Sequence, residues 1–224
     1  MSEQTIALTD MYPCIEKMKS DIRARYAFEN QTAKKGQIVF VGSSLMEIFP
    51  IEKMQQGLGL DKVIYNRGIR ATTTVELLSA IDICIFDLAP SKIFINIGTN
   101  DVGFGVPEDT FLSNYDEILR QIRERLPEAQ VFVMAYYPVN PTADFGESAA
   151  EHESLFARRN NEILASASGK VAQLAKKYHC EFINVNAGLT DADGNLRKEL
   201  TFDGGHMLPA GYEIVLGNMK QYLC

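Results

Sequence analysis

The 224-residue sequence predicts an α/β fold in which a parallel sheet is covered by helices on both faces. Two observations predict it. Five short runs, at residues 37–41, 62–65, 92–97, 130–136 and 181–185, are rich in Val, Ile and Phe and read as strands buried on both faces. Longer segments with helical spacing lie between them, and such alternation implies right-handed crossovers between parallel strands. There is no internal repeat, low-complexity tract or clear linker, so residues 1–224 are expected to form one domain.

In chain order, residues 1–35 read as a helical lead-in with Met11, Ile15, Met18, Ile22 and Tyr26 on one stripe. That stripe can pack on the domain itself or on a second subunit, which leaves a homodimer open. Helix 44–55 follows the first strand and helix 72–84 the second. Helix 107–126 follows the third, with Pro107 at its first position. Helix 155–178 follows the fourth, with Gly169 weakening its middle. Helix 209–222 closes the chain. The main irregular insertion is 140–153, of a length that often forms a lid or a substrate wall.

The bulk composition narrows the function. At 46% hydrophobic and 23% charged the chain is an ordinary globular protein, long enough to bury a sizeable core. A net charge of −7 argues against nucleic acid, whose phosphates it would repel. Cys14, Cys84, Cys180 and Cys224 are scattered, without CxxC spacing, and read as reduced thiols of a cytoplasmic protein. The first ten residues lack a basic region and a long apolar run, so no signal peptide is expected. No stretch approaches the roughly 18 apolar residues of a membrane span.

Ligands of open parallel sheets bind beyond the carboxyl ends of the strands, so the chemistry is expected there. After the first strand, Gly42-Ser43-Ser44 can place a serine at a helix start, where its N–H and the helix dipole favour negative charge. Alone, either serine reads equally as a helix N-cap. After the second strand, Gly68 allows close backbone approach and can offer its N–H, or is an ordinary loop glycine. Arg67 and Arg70 are either surface charges or contacts to an anionic part of a substrate. After the third, Asn100 can aim a carboxamide N–H at a developing oxyanion, or Asn100 and Asp101 form a turn bonded to local backbone. Before the last helix, Asp203 precedes His206 by three residues across two glycines. Of the three histidines, only His206 has such a carboxylate to fix its tautomer. A serine nucleophile needs a base, the base needs an orienting acid, and the intermediate needs oxyanion donors; the sequence holds each part once.

In this order, Gly42-Ser43-Ser44, Gly68, Gly98-Thr99-Asn100-Asp101 and Asp203-Gly204-Gly205-His206 resemble the blocks of the SGNH hydrolase superfamily, the GDSL-like lipases and acylhydrolases. The subgroup is similar to platelet-activating-factor acetylhydrolase-like bacterial esterases. The resemblance runs from about residue 37 to the C-terminus. It implies a flavodoxin-like three-layer α/β/α sandwich with a five-stranded parallel sheet, an open site, and neither cofactor nor metal. Position by position it makes Ser44 the nucleophile, His206 the base and Asp203 the orienting acid. The Ser44 N–H, the Gly68 N–H and the Asn100 side chain would form the oxyanion hole. The family usually carries Gly-Asp-Ser in the first block; here Ser43 stands in the Asp position. The Gly-x-Ser-x-Gly elbow is absent, because Met46 occupies the last glycine position.

The expected activity is a serine esterase that cleaves short-chain acyl esters, foremost acetyl, through an acyl-enzyme. Its partner would be a small ester: an acylated sugar, a short-chain ester or a lysolipid-like molecule. An O-acyltransferase using the same site, and a non-catalytic ligand-binding relative, are the alternatives.

Overall fold

The computed structural model describes residues 13–223. The lead-in is helix α1 (Pro13–Glu29). Ile22 and Tyr26 are buried in the core and Met18 packs against it, so the stripe lies on the chain's own sheet layer; Met11 and Cys224 fall outside the described residues. Two buried cations hold α1 down. Lys19 is fully buried and pairs with Glu16 at 2.7 Å and with Glu76. Arg67, 2% exposed, sits 4.6 Å over the Tyr26 ring and donates to Asn30 Oδ1 at 2.9 and 3.1 Å. Arg67 is therefore neither a surface charge nor a substrate contact.

Strands β1 (Ile38–Gly42), β2 (Ile64–Gly68), β3 (Lys92–Asn96), β4 (Gln130–Met134) and β5 (Glu181–Ile183) form one parallel sheet in the order β2-β1-β3-β4-β5. This is the flavodoxin-like order of doubly wound sheets, and the three-layer sandwich follows from it. Alternation along β1 and β3 divides the core. Val39, Val41, Ile93 and Ile95 face one layer; Ile38, Phe40 and Phe94 face the other. The first layer contains α1, α4 (Thr74–Ser79), α5 (Ile81–Cys84), α7 (Glu108–Arg125) and α9 (Asn161–Lys177). The second contains α2 (Ser44–Glu47), α3 (Ile51–Met54) and α10 (Pro209–Leu223). Because β2 and β3 flank β1, the chain leaves β1 and β3 toward opposite layers. A crevice opens beyond their carboxyl ends.

Several local expectations are corrected. The helix expected over 44–55 is split into α2 and α3, because Pro50 lacks an N–H and cannot continue α2. The helix over 72–84 breaks at Ala80 into α4 and α5. The helix over 155–178 is two, α8 (Ala149–Phe156) and α9, so part of the irregular insertion is helical. Asn160 caps α9 by accepting the Ile163 N–H, while Gly169 lies inside an unbroken helix. The second strand reaches Gly68 rather than stopping at residue 65. Residues 99–103 form a short helix, α6 (Thr99–Gly103), instead of a turn. Among the described cysteines, Cys84 and Cys180 are buried and Cys14 is exposed. No described helix is long and apolar enough to cross a membrane.

Gly42 fixes how closely β1 approaches its neighbours. A Cβ there would lie 2.1 Å from Asn96 O and 2.6 Å from the Met46 side chain. Gly42→Ala is expected to destabilise the fold by about 1–3 kcal/mol through overpacking. Thermal unfolding checks this; an unchanged Tm would show that β1 and β3 can part without cost.

Candidate active site

Ser44 is the first residue of α2, directly after β1 and Ser43. The first N–H groups of a helix have no intrahelical acceptor, so the Ser44 N–H points beyond the helix end. Ser43 is buried and its side chain makes no capping bond; its carbonyl accepts the N–H groups of Met46 and Glu47 at 3.0 Å. Two buried side chains hold α2 in place. Asn66 donates to Met46 O at 2.6 Å and Phe49 O at 3.1 Å, and Tyr212 of α10 donates to Leu45 O at 2.7 Å.

His206 reaches Ser44 from the opposite end of the sequence. Ser44 Oγ and His206 Nε2 are 2.8 Å apart, and His206 Nδ1 lies 2.6 Å from Asp203 Oδ2. The turn is built for this. Asp203 Oδ1 accepts the N–H of Gly205 at 2.9 Å and of His206 at 2.7 Å. Gly204 has φ +79°, and a Cβ there would meet Asn140 O at 2.5 Å. Thr201 Oγ1 donates to His206 O at 2.6 Å. Partial burial alone would raise the Asp203 carboxyl; the hydrogen bond and charge of His206, with the two N–H donors, outweigh it and hold the group below the usual Asp value.

Asn100 lies on α6 and lines the same crevice as Ser44 and His206. Its Nδ2 donates to Thr72 O at 3.0 Å and its Oδ1 accepts from Arg159 at 3.3 Å, which fixes the carboxamide and leaves a second N–H. Gly68 is placed differently from expectation. It is the buried last residue of β2, its N–H donates to Asn66 Oδ1 at 2.9 Å, and it is not among the residues lining the crevice. Its lack of a side chain makes room for α2, since a Cβ would meet Glu47 N at 2.2 Å. The backbone that does reach the crevice beside Ser44 is Ala71, at φ +54°, a left-handed conformation uncommon for alanine. Glu47 fixes that turn by accepting the Arg70 N–H at 2.5 Å and its Nε at 2.8 Å. Sequence reasoning missed Ala71 because an alanine carries no signature of positive φ.

Asp101 makes long-range bonds beyond its own backbone N–H. Its carboxylate accepts Thr74 N at 3.0 Å and Thr74 Oγ1 at 2.5 Å, tying α6 to the start of α4. His152 pairs with Glu147 at 2.8 Å, and His179 ends α9; neither lines the crevice. Among the described residues, no group of three His, Cys, Asp or Glu side chains is arranged to hold a metal ion.

Two cavities meet at Ser44, Asn100, Arg159 and His206. One is small, about 40 Å³, and walled by Leu45, Tyr137, Val139, Phe156 and Leu164. The other is an open basin of about 430 Å³, bordered by Ile15, Met18, Ile48, Ala71, Phe104 and Phe202. A hydroxyl beside an oriented imidazole can attack a carbonyl, and N–H groups bordering the same crevice are the kind of donor that can hold the resulting oxyanion.

Comparison with known proteins gives consistent similarities. Residues 51–214 match the GDSL-like Lipase/Acylhydrolase family. The chain is 30% identical to a solved structure described as a putative platelet activating factor from Streptococcus pneumonia, covering 99% of this chain and 100% of that one, with a TM-score of 0.85. A GDSL-like lipase from Bacteroides thetaiotaomicron shares 21% identity over 90% of this chain and 96% of its own, with a TM-score of 0.71. Axe2, an acetylxylan esterase from Geobacillus stearothermophilus, shares the fold at 14% identity, over 85% of this chain and 95% of its own, with a TM-score of 0.65. No curated protein matches the sequence.

Burial pushes the Asp101 carboxyl up to about 6, against the hydrogen bonds from Thr74, which lower it. A carboxyl raised in the folded state binds more protons than the unfolded chain, so its contribution is fully present at low pH and lost as pH rises through about 6. Stability should therefore fall by roughly 2–3 kcal/mol between about pH 4 and pH 7 on account of this group, at 1.36 kcal/mol per unit. Asp101→Asn should flatten that slope in denaturant titrations across pH. Parallel wild-type and variant profiles would remove Asp101 as its source.

Proposed function

Because the chain belongs to the GDSL-like lipase/acylhydrolase family, and so to the carboxylic ester hydrolases, we propose that Ser44, His206 and Asp203 act as its nucleophile, base and orienting acid. The observation that carries this reading is the continuous pair of short contacts, 2.8 Å from Ser44 to His206 and 2.6 Å from His206 to Asp203. His206 takes the Ser44 proton as Oγ attacks the ester carbonyl. The imidazolium that forms is stabilised by Asp203, whose lowered pKa keeps it a carboxylate at neutral pH. His206 then protonates the leaving alcohol, and water repeats the steps to release the acid.

The oxyanion is held by the Ser44 N–H and the second N–H of Asn100. We assign the third donor to Ala71 in place of Gly68, since the Gly68 N–H already has an acceptor in Asn66. The size of the small apolar cavity supports a short acyl group, with acetyl the best fit, and leaves the alcohol in the open basin.

Ser44→Ala should abolish turnover of a short-chain chromogenic ester while leaving the circular dichroism spectrum intact. Retained turnover would dismiss Ser44 as nucleophile. Asn100→Ala should lower kcat by about 10²–10³, the usual loss for one oxyanion donor. A change below about threefold would take Asn100 out of the oxyanion hole.

A further inference from the structure

Arg159 is a cation to which the mechanism gives no part beyond its bond to Asn100. It follows α8, is half-buried, and lines both cavities where they meet at Ser44 and His206. The main chain makes room for it: a Cβ on Gly103 would lie 1.9 Å from its Nε. The guanidinium also rests 5.0 Å from the Phe104 ring centroid. Its hydrogen bonds are both to neutral oxygens, Thr99 O and Asn100 Oδ1, each at 3.3 Å. Among the described residues it forms no ion pair; the acidic group that influences it is Asp203, whose carboxylate is hydrogen-bonded to His206.

The surroundings say which cavity an anion would use. Beyond the residues it shares with the basin, the small cavity is walled mainly by Leu45, Tyr137, Val139, Leu155, Phe156 and Leu164, and at about 40 Å³ it has no room for a charged group with its own hydration. In the basin Arg70 is ion-paired with Glu47, and the Asp203 carboxylate is hydrogen-bonded to His206 Nδ1. Arg159 is thus a basin cation without an ion-pair partner among the described residues, set among Met18, Ile48, Phe104 and Phe202. Phe202 is 54% exposed and lies parallel to the His206 ring at 5.7 Å, a surface on which a flat or apolar body can rest. A guanidinium without an ion-pair partner can bind a carboxylate or phosphate through charge-assisted, bidentate hydrogen bonds.

Resting on the esterase reading above, we propose that Arg159 is a specificity-determining residue: the preferred substrates are esters whose alcohol carries an anionic group near the esterified oxygen. The acyl group enters the small cavity. The alcohol lies across Phe202 with its anion on Arg159.

The probes are the acetyl esters of 3- and 4-hydroxybenzoate and of the matched hydroxybenzamides, which differ in charge and little in shape. The ratio of kcat/KM for carboxylate over amide is measured in wild type and in Arg159→Gln, so that leaving-group reactivity cancels. The ratio should fall about tenfold in the variant, chiefly through KM of the carboxylate ester. An equal loss on both esters would mean that Arg159 acts only through Asn100, and an unmoved ratio would mean no anion contact; either overturns the proposal. Affinity is read separately on Ser44→Ala protein, with and without Arg159→Gln. A preference for 3-acetoxybenzoate over its amide that disappears with Arg159 is expected, and equal or absent binding of the two counts against it. That second arm needs no turnover. Failure of the esterase reading would appear instead as no ester hydrolysed and no phosphonate labelling of Ser44, with the binding preference intact.

Discussion

Ser44 Oγ and His206 Nε2 stand 2.8 Å apart although 162 residues separate them in sequence, and much of the carboxyl edge of the sheet is arranged around that contact. An isolated serine hydroxyl is a poor nucleophile, and an isolated imidazole points anywhere. The contact has meaning only if both groups are fixed before a substrate arrives. Asn66 and Tyr212 hold the segment that carries Ser44, by bonds to Met46 O and Leu45 O. Asp203 holds the imidazole, through its ring nitrogen and through the backbone N–H groups beneath it. The acidic side chain therefore sets both the shape of the turn and the direction of the ring.

Space matters as much as hydrogen bonding. Gly42, Gly68, Gly103 and Gly204 all lie where a Cβ would collide with a neighbour. Each lets two parts of the chain approach more closely than side chains allow: β1 to β3, β2 to α2, α6 to Arg159, and the His206 turn to Asn140. Among these close contacts, Ser44, Ala71, Asn100 and His206 border one crevice. The left-handed backbone at Ala71 belongs to the same pattern, held there by the Glu47–Arg70 clamp.

Two carboxylates near the crevice are shifted in opposite directions by different surroundings. Asp203 is lowered because a histidine and two N–H groups outweigh its burial. Asp101 is raised because burial outweighs Thr74. The first favours a negative charge beside the imidazole proposed as the base. The second is a structural tie between α6 and α4 whose charge is costly to keep. Position in the fold separates their roles; residue type does not.

The strand–helix alternation, the parallel sheet and the Ser44, Asn100, Asp203 and His206 candidates were all legible in the sequence. They depend on short-range features: runs of β-branched residues, a Gly-Ser turn after a strand, and an acid three residues before a histidine. Helix breaks were legible only in part, since Pro50 marks one by its missing N–H while nothing so local marks Ala80. Other placements came only from the tertiary structure, because they concern which groups share space. Gly68 and Ala71 are three residues apart, and only the fold shows that the Gly68 N–H is occupied by Asn66 while Ala71 lines the crevice. Arg67 and Arg159 are alike in sequence. Packing puts one beneath Tyr26, against the lead-in helix, and the other beside Ser44, since burial and charge matching depend on neighbours that the order of residues does not name.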